Sequence, residues 1–146
     1  IRGRVGLIDI DYLTHAHKHA LVEMTARISG RADDRIKINE TSILKGEYAR
    51  AVLTSKVAVR DTAKAEIFNK VTALAPYARG HVDCKEVVKD DAVAIANPVV
   101  DVRDSRSHVT HEAAVGSVDK KQLETLMARG LDEDAASELI IQGLLS

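Results

Sequence analysis

The sequence predicts a mainly β chain: a parallel, right-handed β-helix followed by a short C-terminal α-helical tail. Three observations carry this. Apolar residues make up 45% of the 146 positions but aromatic residues only 3%. The core must therefore be built from Ala, Val, Ile and Leu, which suit thin, closely stacked layers better than a bulky globular interior. Extended runs with a period of two recur at fairly regular spacing, with few prolines and no Asn-Gly hairpin pairs. The period then changes after Val118.

The elements follow in order. The chain opens at Ile1 without a methionine and reads as strand by Arg4, which predicts a fragment of a longer protein. From Val5 to about Val118 the pattern is short strands. Val22, Met24, Ala26 and Ile28 alternate with Glu23, Thr25 and Arg27. Ala63, Ala65, Ile67, Asn69, Val71 and Ala73 alternate with Lys64, Glu66, Phe68, Lys70 and Thr72. Side chains two apart share a strand face, so Asn69 is placed on the inward face, where it can stack along the axis. Breaks fall at Ser29-Gly30, Lys45-Gly46, Arg60-Asp61, Tyr77 to Gly80, Lys89 to Asp91 and Arg103 to Ser105. A sandwich would show more aromatics and more hairpin turns; stacked coils account for the pattern better.

Past Val118 the spacing is helical. Asp119 is an N-cap with Gln122 at the capping-box position, and Val118 with Leu123 forms a hydrophobic staple. Leu123, Leu126 and Met127 line one face, and Arg129-Gly130 ends the helix. Asp132 caps a second helix with Glu133 and Asp134 in its first turn. Ala136, Leu139, Ile140, Gly143 and Leu144 form its apolar face. Two such short helices bury little alone, so they must pack on the β body, on further sequence or on a partner. The domain reading is a β-helix core over residues 1–118 and a helical segment over 119–146.

Composition excludes several classes. The net charge is -1, with 21 Lys and Arg against 22 Asp and Glu, which argues against a nucleic-acid footprint. No run approaches the roughly 18 apolar residues of a membrane span, and no signal-peptide pattern appears. The single cysteine rules out an intrachain disulfide and fits a reducing, cytoplasmic compartment. No phosphate-binding loop, nucleotide fingerprint or CxxC motif is present.

Three places carry candidate chemistry. In GHVDCKEVV, Cys84 sits among His81, Asp83 and Glu86. It is either a small buried hydrophobe or half of an iron or zinc site completed by another chain. On a regular strand Cys84 shares a face with Val82 and Glu86, opposite His81 and Asp83. All four then cannot meet one metal without a bend, and one thiolate is too few for a cluster. The second place is His108-Val109-Thr110-His111-Glu112, just before the change from strand to helix. It is either a solvated turn or a site at a junction. The third is His15, His17 and His19, which would share one strand face and either bind a transition metal or simply face solvent.

The run SHVTHEAAVGSVDKKQLETLMARGLDEDAASELIIQGLLS resembles the C-terminal signature of the SufB/SufD iron–sulfur cluster assembly family. The ordered set His111-Glu112-Ala113, Gly116, Gln122-Leu123 and Arg129-Gly130 is specific. Upstream, ILKGEYARAVLTSKVAVRDTAKAEIFNKVTALAPYARGHVDC resembles the family's β-helix core, and the compact form is similar to its short archaeal or bacterial members. The resemblance implies dimerisation through the C-terminal strands, with a transient iron–sulfur cluster formed at that interface. It implies that Cys84 is the interface cysteine, Glu112 its acidic partner and His111 the neighbouring histidine. His81 is added because SufD-type members use an interface histidine near this region. The terminal helices resemble the docking site for SufC, the ABC-type ATPase, whose ATP-driven movement would open the interface. The second cysteine that some scaffold members carry deeper in the β-helix is not in this chain, which puts sulfur delivery by that route in doubt. The expected function is a scaffold subunit, a homodimer without catalytic turnover of its own. The alternatives are a SufD-like structural partner without cluster ligation, or a carbohydrate-active β-helix enzyme using Asp83, Glu86 and Glu112.

Overall fold

A computed structural model describes residues 6–146. The strand reading at Arg4 lies outside the described residues. Eight strands of ten residues follow one another: β1 (Leu7–Ala16), β2 (Leu21–Gly30), β3 (Arg35–Leu44), β4 (Arg50–Val59), β5 (Lys64–Ala73), β6 (Arg79–Val88), β7 (Val93–Val102) and β8 (His108–Ser117). Odd strands form one parallel sheet and even strands the other. Each pair of strands is one coil of a solenoid of about four turns. The expected β-helix is thus present.

The repeat is visible in the register. Arg35 pairs with Lys64 and Lys64 with Val93, while Arg50 pairs with Arg79 and Arg79 with His108. Parallel strands of one sheet thus recur every 29 residues in these pairs, and side chains stack in columns along the axis. The first coil differs. Leu7 pairs with Arg35, one residue shorter, because residues 17–20 turn in four residues where the later turns on that side use five.

The turns are held by their own columns. His19, Tyr48 and Tyr77 all adopt left-handed backbone, with φ of 59°, 60° and 59°. That conformation costs a non-glycine residue about 1–2 kcal/mol. Stacking offsets part of it: the rings of His19 and Tyr48 lie 5.3 Å apart and those of Tyr48 and Tyr77 5.0 Å apart, nearly parallel. The Arg106 guanidinium caps the column over Tyr77. On the opposite side Ala32, Asp61 and Asp90 are left-handed too. There the Asp61 carboxylate accepts from the Ala32 amide and the Asp90 carboxylate from the Asp61 amide.

Between the sheets the core divides into three bands. One apolar band holds Ile36, Ile38, Val57, Val59 and Ile67; the other holds Leu44, Leu53, Val71, Ala73 and Val82. Across the waist between them run buried polar side chains: Glu40, Ser42, Ser55, Asn69 and Glu86. The alternation that buries Ile38 and Ile67 delivers these residues inward as well.

Helices α1 (Lys120–Met127) and α2 (Glu133–Leu145) close the chain. The caps match the sequence reading. Asp119 accepts from the Gln122 amide at 2.7 Å and Asp132 from the Ala135 amide at 2.7 Å. Gly130 takes φ +96° after α1. α2 packs on the outer face of the even sheet, where Ile141 and Leu145 cover Ala58. Arg60 and Lys89 pair with Glu138 and Asp134 of the helix. One detail departs from expectation. The buried face of α2 is Ala136, Ser137, Ile141 and Leu145, whereas Leu139 is 48% exposed. Leu139 and Ile140 instead line a cleft of about 520 Å³ shared with Gln122 and Leu126 of α1. No helix among the described residues is long and apolar enough to cross a membrane.

Candidate functional site

Cys84 lies in the middle of β6 and points into the waist. It pairs laterally with Ser55 of β4 and Ala113 of β8 and has no exposed surface. Its thiol donates to the Asn69 side-chain oxygen at 3.3 Å. The Ser55 hydroxyl donates to the same oxygen at 3.3 Å, and the Asn69 amide nitrogen donates to the Glu40 carboxylate at 2.5 Å. One asparagine therefore joins a thiol, a hydroxyl and a carboxylate across the two sheets. Burial pushes the Cys84 thiol and the Glu40 carboxyl above their usual ranges.

Glu86, two residues on, also faces inward and is 2% exposed. Neither of its carboxylate oxygens has a hydrogen-bond partner. Burial, then the nearby Asp83 charge, raises its carboxyl to about 7. Asp83 itself is on the outer face, where one oxygen is paired with Lys85 at 3.0 Å.

The other expected ligands sit around the edge strand β8. His111 is exposed and pairs with Val82, in an inward-facing column at the open end of the solenoid. Glu112 is exposed and stands beside Asp83 on the outer face. His81 is on that outer face too, its Nδ1 2.8 Å from the Thr110 hydroxyl. Cys84 and His111 thus share one face of the sheet, and Glu112 and His81 share the other, as the strand period requires. Among the described residues no three His, Cys, Asp or Glu side chains converge as a metal site. The His15, His17 and His19 reading fails for a local reason. β1 ends at Ala16, so His17 and His19 lie in the turn. His15 contacts Lys45 instead, and His19 stacks on Tyr48. The acids of the carbohydrate reading do not assemble either, because Glu86 is inside and Asp83 and Glu112 are outside.

The geometry thus joins a thiol on β6 to an exposed edge strand bearing a His-Glu pair, followed by a capped helical pair. A sequence model described as the SUF system FeS cluster assembly, SufBD core domain, matches residues 11–144. The chain belongs to the SufBD family. A protein of Methanocaldococcus jannaschii named as an iron-sulfur cluster assembly SufBD family protein is 46% identical over 99% of this chain and 46% of its own length. A similarly named protein of Pyrococcus horikoshii is 36% identical over 99% of this chain and 44% of its own length. The chain therefore spans less than half the length of these two relatives. Both relatives carry iron-sulfur cluster assembly in their names.

Sequence reasoning placed Asn69 inward but missed what it joins. Glu40 was legible as the third inward position after Ile36 and Ile38. The stacked column His19, Tyr48, Tyr77 and Arg106 was legible as a spacing of 29 residues.

Proposed function

We propose that this chain is a scaffold subunit on which an iron–sulfur cluster is built between two protomers. The observation that carries the reading is the end of the solenoid. β8 is an edge strand whose residues are nearly all exposed, and it carries His111 and Glu112 directly beside the strand that holds Cys84. An unpaired strand edge is a template for a second chain, and a two-fold contact there would bring two copies of each residue to one place. Cys84, Glu112 and His111, with His81 at the margin, then supply the sulfur, oxygen and nitrogen donors for the nascent cluster. The cluster is cargo: few thiolates hold it, so it can be given away. Cys84 is shielded by the last coil, so assembly requires that coil to move. A SufC-type ATPase docked on the α1–α2 cleft would supply that movement. The protein works in the cytoplasm and has no catalytic turnover of its own.

The complete burial of Cys84 favours a second reading, a SufD-like structural partner that lends its edge without ligating a cluster. Anaerobic reconstitution with ferrous iron and sulfide decides between the two. Iron and acid-labile sulfide on the wild type, absent from Cys84→Ala, support the scaffold. Equal iron on both proteins, or none on either, refutes it and leaves the structural partner.

A further inference from the structure

The waist of the solenoid holds acidic and thiol groups with nothing positive to balance them. Glu40 and Glu86 are 3% and 2% exposed and Cys84 is fully buried. No Lys, Arg or His occurs among the buried polar side chains of the described residues. Burying an ionised carboxylate without a counter-charge is strongly unfavourable, so such a place favours a cation, either a proton or a metal ion. Glu40 has the Asn69 amide. Glu86 has no partner for either oxygen, although it stands on the same strand face as Cys84. Alternate strand positions are a spacing from which two side chains can reach one ion.

The Cys84–Asn69 separation fits a metal in place of the thiol proton. The Cys84 sulfur and the Asn69 oxygen are 3.3 Å apart. A divalent ion about 2.3 Å from a thiolate and about 2.1 Å from an oxygen holds those atoms roughly 3.4 Å apart at a bond angle of roughly 100°. Two anionic donors neutralise one divalent ion. Over these three residues the last coil presents Pro98, Ala113 and Val115, the register neighbours of Asn69, Cys84 and Glu86, so one thin layer separates the position from the open end.

We propose that Cys84, Glu86 and the amide oxygen of Asn69 form a divalent-cation site inside the single chain, one that shares the Cys84 thiolate with the two-chain cluster but needs neither Glu112 nor a second protomer. The assignment of the cation as ferrous iron rests on the scaffold reading; the site itself does not. Iron held there by a carboxylate and one thiolate would be positioned before sulfide arrives.

The test uses cobalt(II), without sulfide, under anaerobic conditions. Thiolate ligation of cobalt gives a near-ultraviolet charge-transfer band. The wild type is expected to bind one cobalt per chain with that band. Glu86→Gln and Glu86→Ser are each expected to weaken binding roughly tenfold or more, with unchanged circular dichroism, and Cys84→Ala to abolish the band. Native mass spectrometry is expected to find that cobalt on the monomer. Wild-type affinity in both Glu86 variants overturns the proposal, as does cobalt carried by the dimer alone. Cluster reconstitution that fails while the Glu86-dependent band persists refutes the scaffold reading and leaves this site standing.

Discussion

Replacing Asn69 by Leu tests whether the polar waist is a connected network. The side chains are similar in size, so packing changes little while three hydrogen bonds vanish at once. Two are neutral, from Ser55 and Cys84, and one runs to the Glu40 carboxyl. Net contributions are about 1 kcal/mol for a neutral bond and about 2 kcal/mol for one to a charged group. The partners also remain buried, with no water to replace what they lost. Against this, the new apolar side chain gains about 1–2 kcal/mol from burial. The expected net loss is about 3 kcal/mol. Urea unfolding followed by tyrosine fluorescence reports it, because Tyr48 and Tyr77 sit on the middle coils. A second variant sharpens the reasoning. Glu40→Leu on the Asn69→Leu background removes an orphaned partner, so the pair should lose at least about 1 kcal/mol less than the sum of the single losses. A loss under about 0.5 kcal/mol in Asn69→Leu, or strict additivity in the pair, would refute the network.

Other outcomes follow from the same geometry. Gly46→Ala places a Cβ 1.9 Å from the Lys18 backbone nitrogen and 2.3 Å from the His17 carbonyl carbon. Two coils must separate to admit it, so thermal unfolding should drop by an amount equivalent to about 3 kcal/mol or more; an unchanged midpoint would contradict the tight turn. Ile141→Asp buries a charge against Ala58 and should release α2, seen as proteolytic clipping after β8 while the solenoid survives. The Glu40 carboxyl is raised by burial above 4.5 in the folded chain, so its contribution to stability is complete below that value and is lost as pH rises through its folded pKa. Glu40→Gln should flatten that fall, and a pH profile parallel to the wild type would count against it.

The fold was legible because a solenoid writes its period into the sequence. Inward Ile36, Ile38, Ile67 and Val71 alternate with solvated neighbours, and most turn signals stand where chain direction reverses. The first turn was not legible. His15 to His19 reads as alternating strand because nothing in residues 17–20 breaks it locally; the reversal comes from stacking His19 on Tyr48, a contact 29 positions away. The helix caps were legible because Asp119 and Asp132 act within three residues. The buried face of α2 was not, since it depends on where Ala58 lies on the outer sheet. For the site, strand parity already separated Cys84 from His81. It also put Glu86 on the same face as Cys84. What parity could not show is depth. Complete burial of Cys84 follows from the coil that β7 and β8 lay over it, a tertiary fact with no local signal.

Whether the cluster is shared between two chains can be read from native mass spectrometry of the anaerobically reconstituted protein. Iron together with sulfide is expected on the dimer alone, with bare apoprotein mass for Cys84→Ala. A cluster carried by the monomer would contradict a shared site.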